Sequence, residues 1–394
     1  MSSDAAIPLP VPSSAPSCAV DAHGTASLLG LSRTPAGDKV GLVGPEEASD
    51  ASQPSRVAGP GPPLAVKIVV TGGAGFIGSH YVRTLLGGGF PSCDQADVVV
   101  LDKLTYAGNL ANLAPVADDP RLTVVKGDIL EVSLVDEVVA HADLLVHFAA
   151  ESHVDRSIRG AADFVLTNVA GTQVLLDAAV RRRVERTVHV STDEVYGSIE
   201  HGRSTESDPL APRSPYSASK AGADLLALSY ATTHGLDVVV TRCSNNFGPY
   251  QLPEKLVSLF VTNLLDGKPV PLYGDGLHVR EWLHVTDHCA GVQLVAERGR
   301  TGEVYHVGGG TALTNRELTG RLLEACGADW SMVEWVPDRA GHDRRYALDW
   351  TKIADELGYS PRVDFEEGLL ATVDWYRDNR GWWQPLKDRA ALGP

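Results

Sequence analysis

A short apolar run, Val66-Lys-Ile-Val-Val70, leads into Thr71-Gly-Gly-Ala-Gly-Phe-Ile-Gly78 and then into a helical stretch to about Leu86. Few folds accept a strand, a glycine turn and a helix in that order. Gly73, Gly75 and Gly78 fit the spacing G-x-G-x-x-G, and Gly72, Gly75 and Gly78 fit the related G-x-x-G-x-x-G. Glycines there allow a tight turn and a close backbone approach to a pyrophosphate, while the helix N-terminus faces its charge. The context is that of a dinucleotide-binding unit.

Further apolar runs follow: Asp97–Leu101, Leu122–Ile129, Leu144–Ala150, Thr187–Val190 and Val238–Arg242. Helical stretches separate them, including Asp163–Arg183 and Tyr216–His234. Alternation of this kind predicts an α/β fold: a doubly wound, mostly parallel Rossmann sheet with ligands at the carboxyl ends of its strands. Asp102 ends the second run, where a carboxylate binds the adenosine ribose and repels a 2′-phosphate, favouring NAD; the adjacent Lys103 weakens that preference. Asp128 and Ile129 end the third run, where adenine could lie, and small Ala149 and Ala150 end the fourth. His147 and His153 read as structural, with no acid or cysteine at a telling spacing.

After about residue 250 the pattern changes to a smaller mixed domain, with a helix over Lys255–Leu265 and a turn at Pro271-Leu-Tyr-Gly-Asp-Gly276. Lys255, Arg280, Arg339 and Arg345 are its candidate diphosphate contacts. The organisation expected is an extension over residues 1–65, a cofactor domain with the catalytic residues over 66–250, and a mainly substrate-binding domain over 251–394. Some segments of the last return to the large sheet. Residues 1–65 hold ten of the 24 prolines and no aromatic residue. Such a composition cannot offset its ordering entropy, so a disordered extension, or the product of an upstream start codon, is expected.

Two stretches carry the chemistry. His189-Val-Ser-Thr-Asp-Glu-Val-Tyr-Gly197 ends a strand on Thr192, Asp193 and Glu194, and Tyr216-Ser-Ala-Ser-Lys220 opens a helix with Ser214 as its cap. Tyr216 and Lys220, four residues apart, share a helix face. A cation beside a phenol lowers its pKa and makes it a base for an alcohol proton. The adjacent acids can be split by mutual repulsion, one protonated and one ionised.

A net charge of −16 argues against nucleic acid or anionic membrane as partner, and there is no apolar run long enough for a membrane span. Five scattered cysteines without metal spacing read as reduced thiols in a cytoplasm, with no metal required.

These motifs, with His147-Phe-Ala-Ala-Glu-Ser-His-Val-Asp-Arg-Ser157 and Arg242-Cys-Ser-Asn-Asn-Phe-Gly-Pro-Tyr-Gln251, resemble the extended short-chain dehydrogenase/reductase superfamily. More narrowly they resemble its dTDP-glucose 4,6-dehydratase family, from Val66 to Lys387. The resemblance implies tightly bound NAD, dTDP-glucose as substrate and a homodimer built through the two long helices. It gives Tyr216 and Lys220 the C4 oxidation, Thr192 the orientation of the same hydroxyl, Glu194 the C5 proton and Asp193 the departing C6 hydroxyl. It places Gly72, Gly75, Phe76, Ile77, Gly78, Asp102, Lys103, Leu104 and Thr105 near NAD, with Asp128, Ile129, Ala149, Ala150, Thr167, Tyr216, Lys220 and Asn246. It places Ser152, Asn245, Lys255, Leu256, Pro271, Tyr273, Arg280, Asn315, Asp338 and His342 near the nucleotide sugar, with Thr192, Asp193 and Glu194. Epimerases of the superfamily need no such acid pair, and related decarboxylases and GDP-mannose dehydratases usually carry a small residue before the Glu. Asp193 therefore points to the dTDP-glucose branch. The alternatives are a sugar-nucleotide 4-epimerase or decarboxylase and, in another class, a non-catalytic dinucleotide-binding regulator.

Overall fold

The computed structural model describes residues 67–391. The expected extension over residues 1–65 lies outside the described residues.

Seven strands form one parallel sheet: β1 (Lys67–Thr71), β2 (Asp97–Asp102), β3 (Leu122–Lys126), β4 (Leu144–His147), β5 (Arg186–Thr192), β6 (Val238–Cys243) and β10 (Val304–Val307). Their order is β10-β6-β5-β4-β1-β2-β3. The chain leaves β1 for one side and β4 for the other, so the strand order reverses there and a crevice opens at their carboxyl ends. The strands read as continuous apolar runs because both faces are covered. Ile68, Val70, Val98, Val100, Leu144 and Val146 pack on one side with Tyr81 and Leu85; Val69, Leu101, Leu145, Val238 and Val240 pack on the other with Leu175, Leu176 and Ala178.

The second layer holds the remaining strands. β7 (Asn245–Phe247), β9 (Val279–His284) and β11 (Thr311–Thr314) form one small sheet, and β8 (Val270–Tyr273) pairs in parallel with β12 (Val333–Val336). Their core gathers Phe247, Phe260, Trp282, Leu322, Tyr376 and Trp383. The helix Val285–Arg298 and β10 return from this half to the large sheet.

Two expectations are corrected. The stretch Pro271–Gly276 is a turn only from Gly274: Val270 and Leu272 point inward along β8, and Pro271 sits in a two-stranded ribbon that tolerates its missing N–H. The helix expected over Asp163–Arg183 is interrupted by a π-helical segment, Val165–Gly171. There Asn168 turns its amide to the backbone of Glu151, accepting from its N–H (2.8 Å) and donating to its carbonyl (3.0 Å), and donates to the Ser219 hydroxyl (2.8 Å). Sequence periodicity does not distinguish such a widened turn from the α-helix around it. Among the described residues no helix is long and apolar enough to cross a membrane.

Candidate active site

A cavity of about 710 Å³ runs along the carboxyl ends of β1, β2, β4, β5 and β6 and under the second layer. Its dinucleotide end is shaped by close approach. Gly72 takes φ +71°, and a Cβ there would stand 2.6 Å from the Ala149 backbone nitrogen; a Cβ on Gly78 would collide with the Gly72 carbonyl. Gly72, Gly75, Phe76, Ile77 and Gly78 line this end. Gly73 packs on Val100 instead. Asp102 accepts from Ala74 N (2.9 Å) and Leu104 N (2.8 Å), which fixes both loops around one carboxylate. Lys103 Nζ is paired with Asp128 at 2.6 Å, so the cation next to Asp102 is engaged. Thr105, Ile129, Ala149, Ala150, Thr167 and Asn246 also reach the wall. Leu104 does not; its left-handed φ of 56° makes the turn that lets its N–H meet Asp102.

These features fit a dinucleotide, and they predict the effect of a single methyl. Gly78→Ala is expected to weaken NAD binding roughly tenfold or more, since overpacking a tight site costs about 1–3 kcal/mol. Titration of cofactor into the stripped protein checks this.

The acidic shelf follows from local geometry. β5 runs through Thr192, and a 3₁₀ turn over Asp193–Tyr196 then swings the two acids into the cavity. Thr192 Oγ donates to Asp193 (3.2 Å) and accepts from Glu194 N (3.2 Å). The opposite wall is the helix Pro215–His234, whose N-terminus is closed by reciprocal Ser214–Ser217 bonds. Tyr216 and Lys220 project from its first turns and are both buried.

Electrostatics separate the two acids. Burial, then the Glu194 charge, push Asp193 well above the usual carboxyl range. Burial also raises Glu194, but Arg339, Arg280 and Lys255 all oppose it. Both acids are raised, Asp193 the more strongly although Arg280 opposes it too, and Glu194 is the one faced by three cations. For Tyr216 the expectation is corrected. Burial, then the nearby Glu194, hold its phenol well above the ordinary tyrosine value, with Thr192 opposing. Lys220 Nζ donates to the Val190 carbonyl (2.8 Å), and burial lowers the lysine itself to about 8. The shared helix face is real, but the protein alone keeps the phenol protonated.

At the far end Ser152, Asn245, Lys255, Leu256, Pro271 and Tyr273 line the cavity, as do Arg280, Asn315 and His342. Buried side-chain oxygens of Asp193, Asn245, Asn246 and Asn315 have no hydrogen-bond partner, as expected of groups left for a ligand. Arg280 is pinned by the carbonyls of Val279 (2.8 Å) and Asp343 (2.9 Å) and lies over the Tyr346 ring. Lys255 donates to the Ser152 carbonyl (2.7 Å). Arg339 lines the wall, but Arg345 does not, donating instead to Gly202 O. Asp338 is also off the wall: its oxygens face His342 Nδ1 (2.6 Å) and His278 Nε2 (3.3 Å), whose rings stack at 3.7 Å. Asp338 thus orients His342. These three residues are the one group of metal-ligand spacing found among the described residues. Sequence spacing could not show it, because His278 lies far from the other two in the chain. Also unread from sequence was Asp155, which bridges Tyr273 (3.4 Å) and Arg339 (3.5 Å) across the cavity.

With this geometry in place, similarity to known proteins is informative. A family model described as GDP-mannose 4,6 dehydratase matches residues 69–372. The chain is 67% identical over 330 residues to a dTDP-glucose 4,6-dehydratase of Streptomyces antibioticus, covering 84% of this chain and 97% of that protein. It is 47% identical over 327 residues to the Mycobacterium tuberculosis dTDP-glucose 4,6-dehydratase, covering 82% and 97%. Among solved structures, DesIV of Streptomyces venezuelae, a dTDP-glucose 4,6-dehydratase crystallised with NAD and a second ligand, aligns with TM-score 0.81 at 64% identity. That alignment covers 81% of this chain and 99% of the other. The UDP-glucose 4-epimerase of Thermotoga maritima aligns with TM-score 0.73 at 32% identity, covering 80% and 99%.

Proposed function

The chain belongs to the dTDP-glucose 4,6-dehydratase family, and from that premise we propose that it converts dTDP-glucose to dTDP-4-keto-6-deoxyglucose and water for deoxysugar biosynthesis. The observation that carries this reading is the Asp193–Glu194 pair, the first buried and the second partly so, on the cavity wall with Tyr216 and Thr192, where Arg280 bears on both acids and Arg339 and Lys255 on Glu194. NAD would be held by Gly72, Gly75, Gly78 and Asp102, and would supply a positive charge and reversible hydride chemistry for C4 and C6 of the sugar.

Every other task falls to side chains. Tyr216 takes the 4-hydroxyl proton, with Lys220 behind it and Thr192 orienting the same oxygen. A ketone at C4 makes the neighbouring C5–H acidic. Glu194 removes that proton, Asp193 protonates the C6 hydroxyl as it leaves as water, and a proton returns to C5 as C6 is reduced. Lys255, Arg280 and Arg339 balance the diphosphate, and His342, oriented by Asp338, meets the nucleotide sugar beside them. Asp102, with the adjacent Lys103 held by Asp128, suits NAD over its 2′-phosphate.

The division of labour proposed is cofactor and catalysis over 66–250 and mainly the sugar nucleotide over 251–394. The protein is proposed to act in the cytoplasm, which suits Cys93, Cys243, Cys289 and Cys326, all free thiols. It is also proposed to be a homodimer through the Ala162–Arg182 and Pro215–His234 helical segments. Val165, Leu166 and Leu225 there are half exposed or more, which supports an apolar contact. A monomer in sedimentation would contradict it.

Incubation with dTDP-glucose in deuterated water, without added reductant, tests the function. The expected product carries a C4 ketone, deuterium at C5 and an intramolecularly transferred hydrogen at C6. Epimerised or decarboxylated sugar would move the chain to a neighbouring activity, and bound NAD with no turnover of any sugar nucleotide would leave a binding role.

A further inference from the structure

Behind the catalytic helix lies a buried ionic layer that does not reach the cavity. Asp224 is fully buried; Arg242 Nε donates to one of its oxygens at 2.8 Å, and His189 Nε2 stands 3.3 Å from the other. Arg242 also bonds the Tyr196 hydroxyl. Tyr196 and His306 Nε2 meet at 2.6 Å, and His306 Nδ1 meets the Asp349 carbonyl at 2.7 Å. Asp224, Arg242, Tyr196 and His306 are absent from the cavity wall. Asp224 nevertheless follows Lys220 by one helical turn, and Lys220 follows Tyr216 by another, so phenol, ammonium and carboxylate occupy one helix face.

We propose that Asp224 is a positioning residue for the reaction: it supplies the buried counter-charge that keeps Lys220 an ammonium, while Arg242 and His189 keep Asp224 a carboxylate. The inference rests on the reading of Lys220 as the partner of Tyr216. Lys220 is 4% exposed, and the hydrogen bond it makes goes to a neutral carbonyl, Val190 O. A carbonyl satisfies one N–H but does not compensate a charge removed from water.

The groups around the ammonium can be taken element by element. From its own helix come Tyr216 and Asp224; from β4, His147; from β5, His189; from β6, the Cys243 thiol. Burial lowers both histidines and pushes the thiol up, away from its anion, so none of these is an anion. Asp224 is the carboxylate among them. Burial lowers Lys220, and Asp224 is the leading influence in the other direction. Burial alone would raise Asp224 too, but His189 and then Arg242 bring it below the ordinary value. The clamp and the lysine therefore form one electrostatic unit.

The test is the titration of Lys220 in NAD-loaded Asp224→Asn protein, read by NMR of lysine labelled at the ε-carbon and assigned by its loss in Lys220→Met. Relative to the NAD-loaded native chain, the midpoint is expected to fall by at least about one unit, a tenfold change in the protonation equilibrium. The alkaline limb of kcat/KM should move down by the same interval, with the lost activity recovered as pH is lowered. A merely structural role would not give that recovery. Because Asp224→Asn leaves Arg242 buried without its anion, Asp224→Asn/Arg242→Gln supplies a second variant with a neutral amide pair, and it should show the same fall. Asp224→Glu should restore the native midpoint. An unmoved Lys220 midpoint in either folded Asn variant overturns the proposal. That midpoint is read without substrate, so a wrong assignment of the sugar nucleotide would appear separately, as a failure of native turnover.

Discussion

Tyr216→Phe is expected to lower kcat by roughly 10²–10⁴-fold, the range for removing a positioned general base, while NAD stays bound. Only one hydroxyl is removed. The ring is buried and packs edge-on against Phe164 with centroids 6.3 Å apart, and phenylalanine keeps that contact. The fold should therefore persist with little change in thermal midpoint. What is lost is the acceptor for the 4-hydroxyl proton, and everything downstream depends on that first step. Without a C4 ketone the C5 proton is not acidic, so substrate recovered from deuterated water should carry no label. The pH profile gives a second readout. Burial and Glu194 hold the phenol high in the protein alone and the positive charge of bound NAD would oppose them, so activity of the NAD-loaded enzyme should rise with pH as the phenolate forms. Above about 8 it should fall as Lys220 loses its proton. The residual activity of Tyr216→Phe should lack the rising limb. A variant within about tenfold of native would place the base elsewhere on the shelf.

That profile also shows where sequence stops being informative. The i,i+4 spacing of Tyr216 and Lys220 gives a shared face, which is a property of any helix. It does not give the direction in which the ammonium leans, and that direction is set by the Val190 carbonyl on β5. The glycine loop was readable because its constraint is local: Gly72 and Gly78 are dictated by backbone within a few residues and by one neighbouring strand end. The Asp193–Glu194 pair was readable for the same reason, since a strand end followed by a 3₁₀ turn fixes both side chains at once. Arg339 and Arg345 differ in role because of β9 and the loops that meet it, which no spacing encodes: one arginine faces Asp155 across the cavity, the other a carbonyl outside it. Asp338 was readable as part of a motif but not as a residue acting through His342. His278, the other side chain on it, arrives from the start of β9. The buried layer under the helix was missed because its members, His189, Asp224, Arg242 and His306, come from four separate segments, and charged groups are seldom fully buried.

The two acids should fail at different steps. Glu194→Gln is expected to cut kcat by roughly 10²–10⁴-fold yet still allow oxidation at C4, because Tyr216, Lys220 and Thr192 are intact. Quenched single-turnover samples should then contain a 4-keto sugar nucleotide that retains its C6 hydroxyl, with no deuterium at C5. Asp193→Asn should behave otherwise. Asp193 is held protonated by burial and by the Glu194 charge, so an amide reproduces its neutral form and leaves the packing nearly unchanged. Glu194 can still exchange the C5 proton, but no proton is delivered to the departing hydroxyl. Deuterium should therefore enter C5 of unreacted sugar faster than water is lost. The acids are also coupled. Glu194→Gln removes one of the charges that raise Asp193, so the Asp193 pKa should fall in that variant and the acid should be spent at lower pH. If Asp193→Asn blocked exchange while Glu194→Gln permitted it, the two roles would be reversed, and the cations Arg339, Arg280 and Lys255 would have been assigned to the wrong carboxylate.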